Sequence, residues 1–493
     1  IDTTYNYFGD DVMLLMPAVD GLPVAYDFMG DVRWYSSELL AFAPDMLENG
    51  HLLVGTNRII SDPYYTTGLF EIDFTGKIYN EYYIPGGYHH DTYELESGNF
   101  LVLTNDFEGT VEDVVVEIDR ASGRIVKSWD IADYLPTTQG MSEMWTSDDW
   151  FHNNSIDFDE ATDSIILSGR HQDIVISIDY NDNTLNWVLG DPTMWDDDFV
   201  DRVFLRKLGI GFEWQYAQHS AIVLPGSRIM LFDNGNNKAK VDTQYVEANN
   251  SYSRGVIYEI DLNLRDVFVD YEFGKELGSS FYSPYISNVE YYGEGHYLIH
   301  SGGIASSSIE GALNIPAPLY DGNGTVTMTS ITYELLNSTT QYHLELSSNY
   351  YRAKRVTMYN ETTSFQFGLP NKLGVQAVTE IETEPIDKAI TLFKNVPLRY
   401  ELEMVKEGDR LRVEGVFDRN DIIYLILQNS EDRKEYHIPT SRTAYTAMCT
   451  AIFTGDERYL TYYINEQNVY GKYNVYISIN GHEYDTYQRV EFN

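Results

Sequence analysis

His90, His152 and His219 stand about 65 positions apart, each just ahead of an apolar run, and Arg170 closes the run 164–168 in Ser168-Gly169-Arg170-His171. A neutral imidazole can attack an electrophile, hold or give up a proton, or ligate a metal. An arginine offers a rigid fork of donors to two oxygens of an anion. Three imidazoles alone would suit a three-nitrogen zinc site of a hydrolase or lyase. A fixed guanidinium beside a dication is unfavourable, so no metal is expected, and the four residues point instead to transfer of an anionic group.

For residues so far apart in the chain to meet, a repeat must place them. A two-part unit recurs between about residues 40 and 345. Its first part is an apolar run crossing a Gly turn, as at Asn49-Gly50 and Ser97-Gly98, and it returns near 155–167, 220–231 and 288–299. Its second part centres on Ile-Asp, at Ile72-Asp73, Ile118-Asp119, Ile178-Asp179 and Ile260-Asp261. Two strands plus two strands make a four-stranded blade. The predicted fold is all-β, a six-bladed β-propeller over residues 1–384, with a closing blade to which the N-terminal segment 1–36 contributes, including the hairpin 24–34, together with strands from 352–383. Residues 385–493 lose the Ile-Asp signature and read as a small C-terminal β-sandwich.

First strands line the channel of a propeller, so the three histidines, taken as equivalent positions of successive blades, converge at one mouth. Arg170, ending a second strand, returns to the same face. His171 is expected to point away, and His89 is not separable from His90. His51, His343, His437 and His482 fall outside this register and read as surface or packing residues. His296 and His300 share a fifth-repeat strand, with His300 the one that could reach the channel. Cys449, the single cysteine, reads as an inert core thiol.

The chain carries 33 basic and 76 acidic residues, a formal charge of −43. That field repels nucleic acid and anionic lipid, so an anionic substrate has to be held by local cations. No run approaches the ~20 apolar residues of a membrane span. Ile1 is compatible with removal of a leader, although none is visible.

The segments Tyr88-His89-His90-Asp91, Asp149-Trp150-Phe151-His152-Asn153-Asn154-Ser155, Ser168-Gly169-Arg170-His171-Gln172, Gln218-His219-Ser220 and Phe232-Asp233-Asn234-Gly235 resemble, in order, those of the bacterial arylsulfate sulfotransferases. The resemblance implies transfer of a sulfuryl group from a small-molecule aryl sulfate donor to a phenolic acceptor, with no cofactor, in a periplasmic or secreted protein. It makes His219 the residue that becomes sulfated, with His90, His152, Arg170 and Asn154 around the group. Trp150, Phe151, Trp214 and Tyr216 are candidates for stacking on aryl rings. A homo-oligomer is compatible with these features, and a non-catalytic propeller scaffold is the reading outside enzymes.

Overall fold

The computed structural model describes residues 11–358 apart from 19–21, 37–39, 57–58, 62 and 108, and residues 396–492 apart from 408–409, 419–420, 422, 439–456, 466–468 and 481. Cys449 lies outside the described residues, as do 359–383 of the segment expected to complete the closing blade. The protein is all-β, with 54% strand and 8% helix among the described residues.

Up to residue 358 the strands form six sheets of four or five strands. Within a sheet, burial explains the sequence pattern. Phe100–Thr104 and Val114–Asp119 are buried on both faces and read as unbroken apolar runs, while Arg124–Asp130, the outermost strand of the same sheet, is mostly exposed. Adjacent sheets share apolar cores: Leu101, Leu103 and Val115 of one pack in a single cluster with Ile165, Leu167 and Ile176 of the next.

Polar contacts tie the first strands of successive sheets together, and these contacts run full circle. Asp91 accepts from the amide of Ile156 at 3.3 Å. Ser155 accepts from Ala221 N at 2.9 Å, and Ser220 and Val289 bond at 3.4 Å. Asn288 and Ala353 exchange two bonds of 2.9 Å, Lys354 Nζ reaches Asp45 at 2.6 Å, and Asp45 accepts from the Thr92 hydroxyl beside Asp91.

The closing sheet draws on two distant stretches of the chain. Its hairpin, Val24–Tyr26 with Val32–Tyr35, is joined by an N-terminal strand, Asp11–Pro17, which pairs with Tyr350–Thr357. Residues 11–17 carry neither the Gly turn nor the Ile-Asp signature, which is why the repeat did not reveal them. In the C-terminal part, a three-stranded and a four-stranded sheet enclose one apolar cluster that includes Leu411, Val413, Leu425, Leu427, Val475 and Ile477.

Candidate active site

Two local devices bring the site residues inward. The strands Asn153–Asp159 and His219–Leu224 each slip register against their neighbour, between Asn153 and Ile156 and between His219 and Ile222. Such bulges re-aim side chains at a strand's start. His90 and His152 also take left-handed backbone conformations, with φ of 57° and 51°, an uncommon state for a non-glycine residue that persists where the surroundings enforce it. The register shows that the histidines are not strictly equivalent. His219 pairs with Phe232 in the place that Asn153, paired with Gly169, occupies one sheet earlier, so His152 sits one residue ahead of it. Gly169 is needed beside Arg170, because a Cβ there would lie 2.2 Å from the Phe151 ring.

His89, His90, His152, His171, Arg170 and His219 are all buried. The rings of His90 and His152 have centroids 4.9 Å apart, and His89 Nδ1 lies 2.9 Å from His90 Nδ1. His171 stacks on His152 at 4.4 Å rather than pointing away, and its other face is covered by Trp145 at 4.1 Å. Arg170 lies over Trp145 at 4.3 Å, donates from Nη1 to His171 Nε2 at 3.1 Å and from Nη2 to the Pro284 carbonyl at 3.1 Å. Its Nε–H is buried with no hydrogen-bond partner among the described residues.

His219 has its tautomer set by a neighbour. Asn234 donates its amide to the carbonyls of Ser283 at 2.8 Å and Ile286 at 3.0 Å, so its oxygen faces His219 Nδ1, at 2.7 Å, as an acceptor. Nδ1 therefore carries the proton and Nε2 the lone pair. Nε2 is buried with no hydrogen-bond partner among the described residues. Burial, and after it the charge of Arg170, holds this imidazole well below its usual range, so it stays neutral.

Around His152 the partners are acidic. Nδ1 lies 2.8 Å from Asp149 Oδ2 and 2.7 Å from Glu112 Oε2. Burial and then the Glu112 charge push the Asp149 carboxyl up to about 7. Burial also pushes Glu112 up, but the positive charges of His152 and His90 outweigh it and leave Glu112 well below the usual range. Burial lowers His89 to about 4 and holds His90 and His171 well below normal.

Asn154 donates to the Gln218 carbonyl at 2.7 Å, next to His219, and its Oδ1 is buried without a hydrogen-bond partner among the described residues. Trp150 and Phe151 sit in the apolar core between sheets, with Trp150 Nε1 on Asp113 at 2.8 Å. Trp214 packs in a neighbouring core, and Tyr216 donates to Asp191 at 2.9 Å. His300 bonds Thr332 Oγ1 at 2.8 Å and the Tyr350 carbonyl at 2.9 Å, a strand-joining role. His51 pairs with Glu71 at 2.6 Å, His296 pairs with Glu334, and His343 stacks on Tyr333.

Two groups have metal-ligand spacing, His89 with His90 and Glu112, and Asp149 with His152 and His171. Neither contains His219. In both, ring nitrogens are already committed: His171 Nδ1 to the Asp149 carbonyl, and the Nδ1 atoms of His89 and His90 to each other. The donor sets thus fit an internally bonded cluster better than an ion.

The buried Arg170 is the charge that acts most strongly on His219, an imidazole whose Nε2 is uncommitted among the described residues. The chain belongs to the arylsulfotransferase (ASST) family, whose model matches residues 1–359. It is 26% identical over 347 residues to the arylsulfate sulfotransferase AssT of Escherichia coli O6:H1, covering 56% of this chain and 56% of that protein. It is also 26% identical over 287 residues to AssT of Lelliottia amnigena, covering 45% and 46%. The chain spans about half the length of these curated relatives. Among solved structures, hydrazine synthase of Kuenenia stuttgartiensis matches at 12% identity and a TM-score of 0.34, over 64% of this chain and 69% of that one, a likeness too slight to build on.

Proposed function

We propose that the protein is an arylsulfate sulfotransferase that needs no nucleotide donor. It moves a sulfuryl group from an aryl sulfate to a phenol by a ping-pong route through sulfated His219. In this reading the six sheets are the blades of a propeller, supported by the circle of first-strand contacts, and the C-terminal sheets form a separate sandwich. The observation that carries the chemistry is the occurrence of two uncommitted buried groups, the His219 Nε2 lone pair and the Arg170 Nε–H, with Arg170 the charge that acts most strongly on His219.

A sulfate monoester carries one negative charge, and its transferring group spreads that charge over three oxygens, as in phosphoryl transfer. Arg170 stabilises those oxygens without reorganising, because it is already fixed by His171 and Pro284. His219 Nε2 attacks sulfur, the S–O bond to the aryl group breaks, and the phenoxide takes a proton from a neighbouring imidazolium. Attack by a phenol on the sulfated ring reverses these steps. As in the relatives' resemblance, a periplasmic or secreted setting is part of the proposal.

The test is mass spectrometry of the full chain mixed with 4-nitrophenyl sulfate and no acceptor. One added sulfuryl group on the His219 peptide, at neutral to alkaline pH, and none in His219→Ala, is the expected result. A group mapped to Ser220 or Tyr216, or parent-rate turnover by His219→Ala, would overturn the assignment. No modification and no turnover at all would favour a binding scaffold.

A further inference from the structure

Glu112 is a fully buried carboxylate outside every motif the sequence brought forward, and its surroundings are built around it. It holds a left-handed backbone at φ 60°. Its main chain is tied on both sides, with N bonded to Asn105 Oδ1 at 2.6 Å and O to Asn153 N at 3.0 Å, one residue from His152. Oε1 accepts from the phenols of Tyr64 and Tyr65, the latter at 3.0 Å, both from the preceding sheet. That leaves Oε2 aimed at His152 Nδ1, 2.7 Å away, and at His90 Nδ1, 3.8 Å away.

The N–H of His152 cannot serve both acids. It points at Asp149 Oδ2, while Glu112 Oε2 lies off the N–H line without a hydrogen bond of its own. Two carboxylates in van der Waals contact with one nitrogen repel each other unless a positive ring lies between them. Facing the same ring are His171, stacked at 4.4 Å and itself bonded to Arg170, and His90 at 4.9 Å. Burial of the ring would empty it of its proton, and the two carboxylates oppose that.

We infer that Glu112, clamped by Tyr64 and Tyr65 and acting with Asp149, is the positioning residue that keeps His152 an imidazolium and so makes it the acid and base of sulfuryl transfer. The inference rests on the reading that His219 takes the sulfuryl group. In the first half-reaction His219 Nε2 bonds to sulfur, the ester S–O bond breaks, and the proton of His152 passes to the leaving phenoxide, leaving phenol and neutral His152. In the second, neutral His152 takes the proton of the acceptor phenol, whose oxygen bonds to sulfur as the N–S bond breaks. The proton count returns to its start.

General acid catalysis matters most for poor leaving groups, which separates it from a structural role. Single-turnover sulfation of His219 is measured by mass spectrometry with phenyl sulfate and with 4-nitrophenyl sulfate, in the full chain. Glu112→Gln is expected to slow the phenyl sulfate reaction by about 10²–10³-fold and the nitrophenyl reaction less than tenfold. Glu112→Asp should recover part of that selectivity. Should Glu112→Gln not fold, Tyr65→Phe, which removes one clamp, is expected to shift the ratio of the two rates in the same direction. An equal loss with both donors in the folded variant would overturn the inference. Absence of sulfated His219 in the unaltered protein would overturn the functional reading itself, and this inference with it.

Discussion

At the scale of single residues, Asn234 is the one whose part in the site emerges only from its bonds. With both amide hydrogens on main-chain carbonyls, it can present nothing but oxygen to His219. Asn234→Ala is expected to lower the rate of His219 sulfation by about 10- to 100-fold, the usual effect of losing a group that orients a reactive imidazole. Rapid-quench mass spectrometry with 4-nitrophenyl sulfate would measure it, and an unchanged rate would contradict the tautomer assignment. Asn234→Asp adds a carboxylate that favours the charged ring and raises the pKa of His219. Since only the neutral ring attacks, the acid limb of the pH profile for sulfation should move to higher pH; a profile that stays in place would speak against it. Asn234 was visible in Phe232-Asp233-Asn234-Gly235, yet the motif said nothing of its partner, because Ser283 and Ile286 lie in another repeat. Glu112 was missed because it sits in a connecting segment that carries no periodic signal, whereas Asp149 and His171 stood in the motifs around His152 and Arg170, which did not reveal their partners.

Among the elements, the Ile-Asp strands and the Gly turns were legible because both faces of those strands are buried, which leaves long apolar runs interrupted only by turns. The convergence of His90, His152 and Arg170 was legible from their place in the repeat. Their detailed register was not, since a bulge shifts side chains by one position without leaving a mark in the hydrophobic pattern. Trp150 and Phe151 read as ring-stacking candidates because they precede His152, but they lie in the bend between the 3-10 turn Ser147–Asp149 and the strand Asn153–Asp159 and pack into the core between sheets. His300 shows what a buried histidine does when it only joins strands. Burial lowers it to about 4, against about 6.5 in the unfolded chain. Between those values the unfolded state binds a proton that the folded state refuses, so stability is lost as pH falls through this window, by up to about 3 kcal/mol for the one residue. His300→Gln removes that dependence. Its deficit in Tm relative to the unaltered protein is expected to shrink between pH 7 and pH 4.5, and a constant deficit would show that His300 does not titrate this way.

For the whole molecule, the charge of −43 surrounds a cationic centre, and the two act at different ranges. In the proposed reaction Arg170, which is buried, acts on a bound anion at close quarters, whereas the surface field repels an approaching sulfate ester and is screened by salt. Raising ionic strength from 10 to 150 mM is therefore expected to increase kcat/KM for the anionic donor severalfold and to leave the step with a neutral phenol flat, by stopped-flow measurement of each half-reaction. A donor rate that falls with salt would mean that a local cationic entrance dominates. The pairing of Asp11–Pro17 with Tyr350–Thr357 bears on something else, the order of events during synthesis. The strand Asp11–Pro17 must wait for one made some 340 residues later, which at about 5–20 residues per second is a delay of tens of seconds. Until then the ring stays open and an early strand has an unpaired edge, exposed to wrong partners. Arg352, on the late strand, bonds Asp91 and the Asn154 carbonyl, so until that strand is made the nascent chain lacks the contact that ties the residue after His90 to the strand that follows His152.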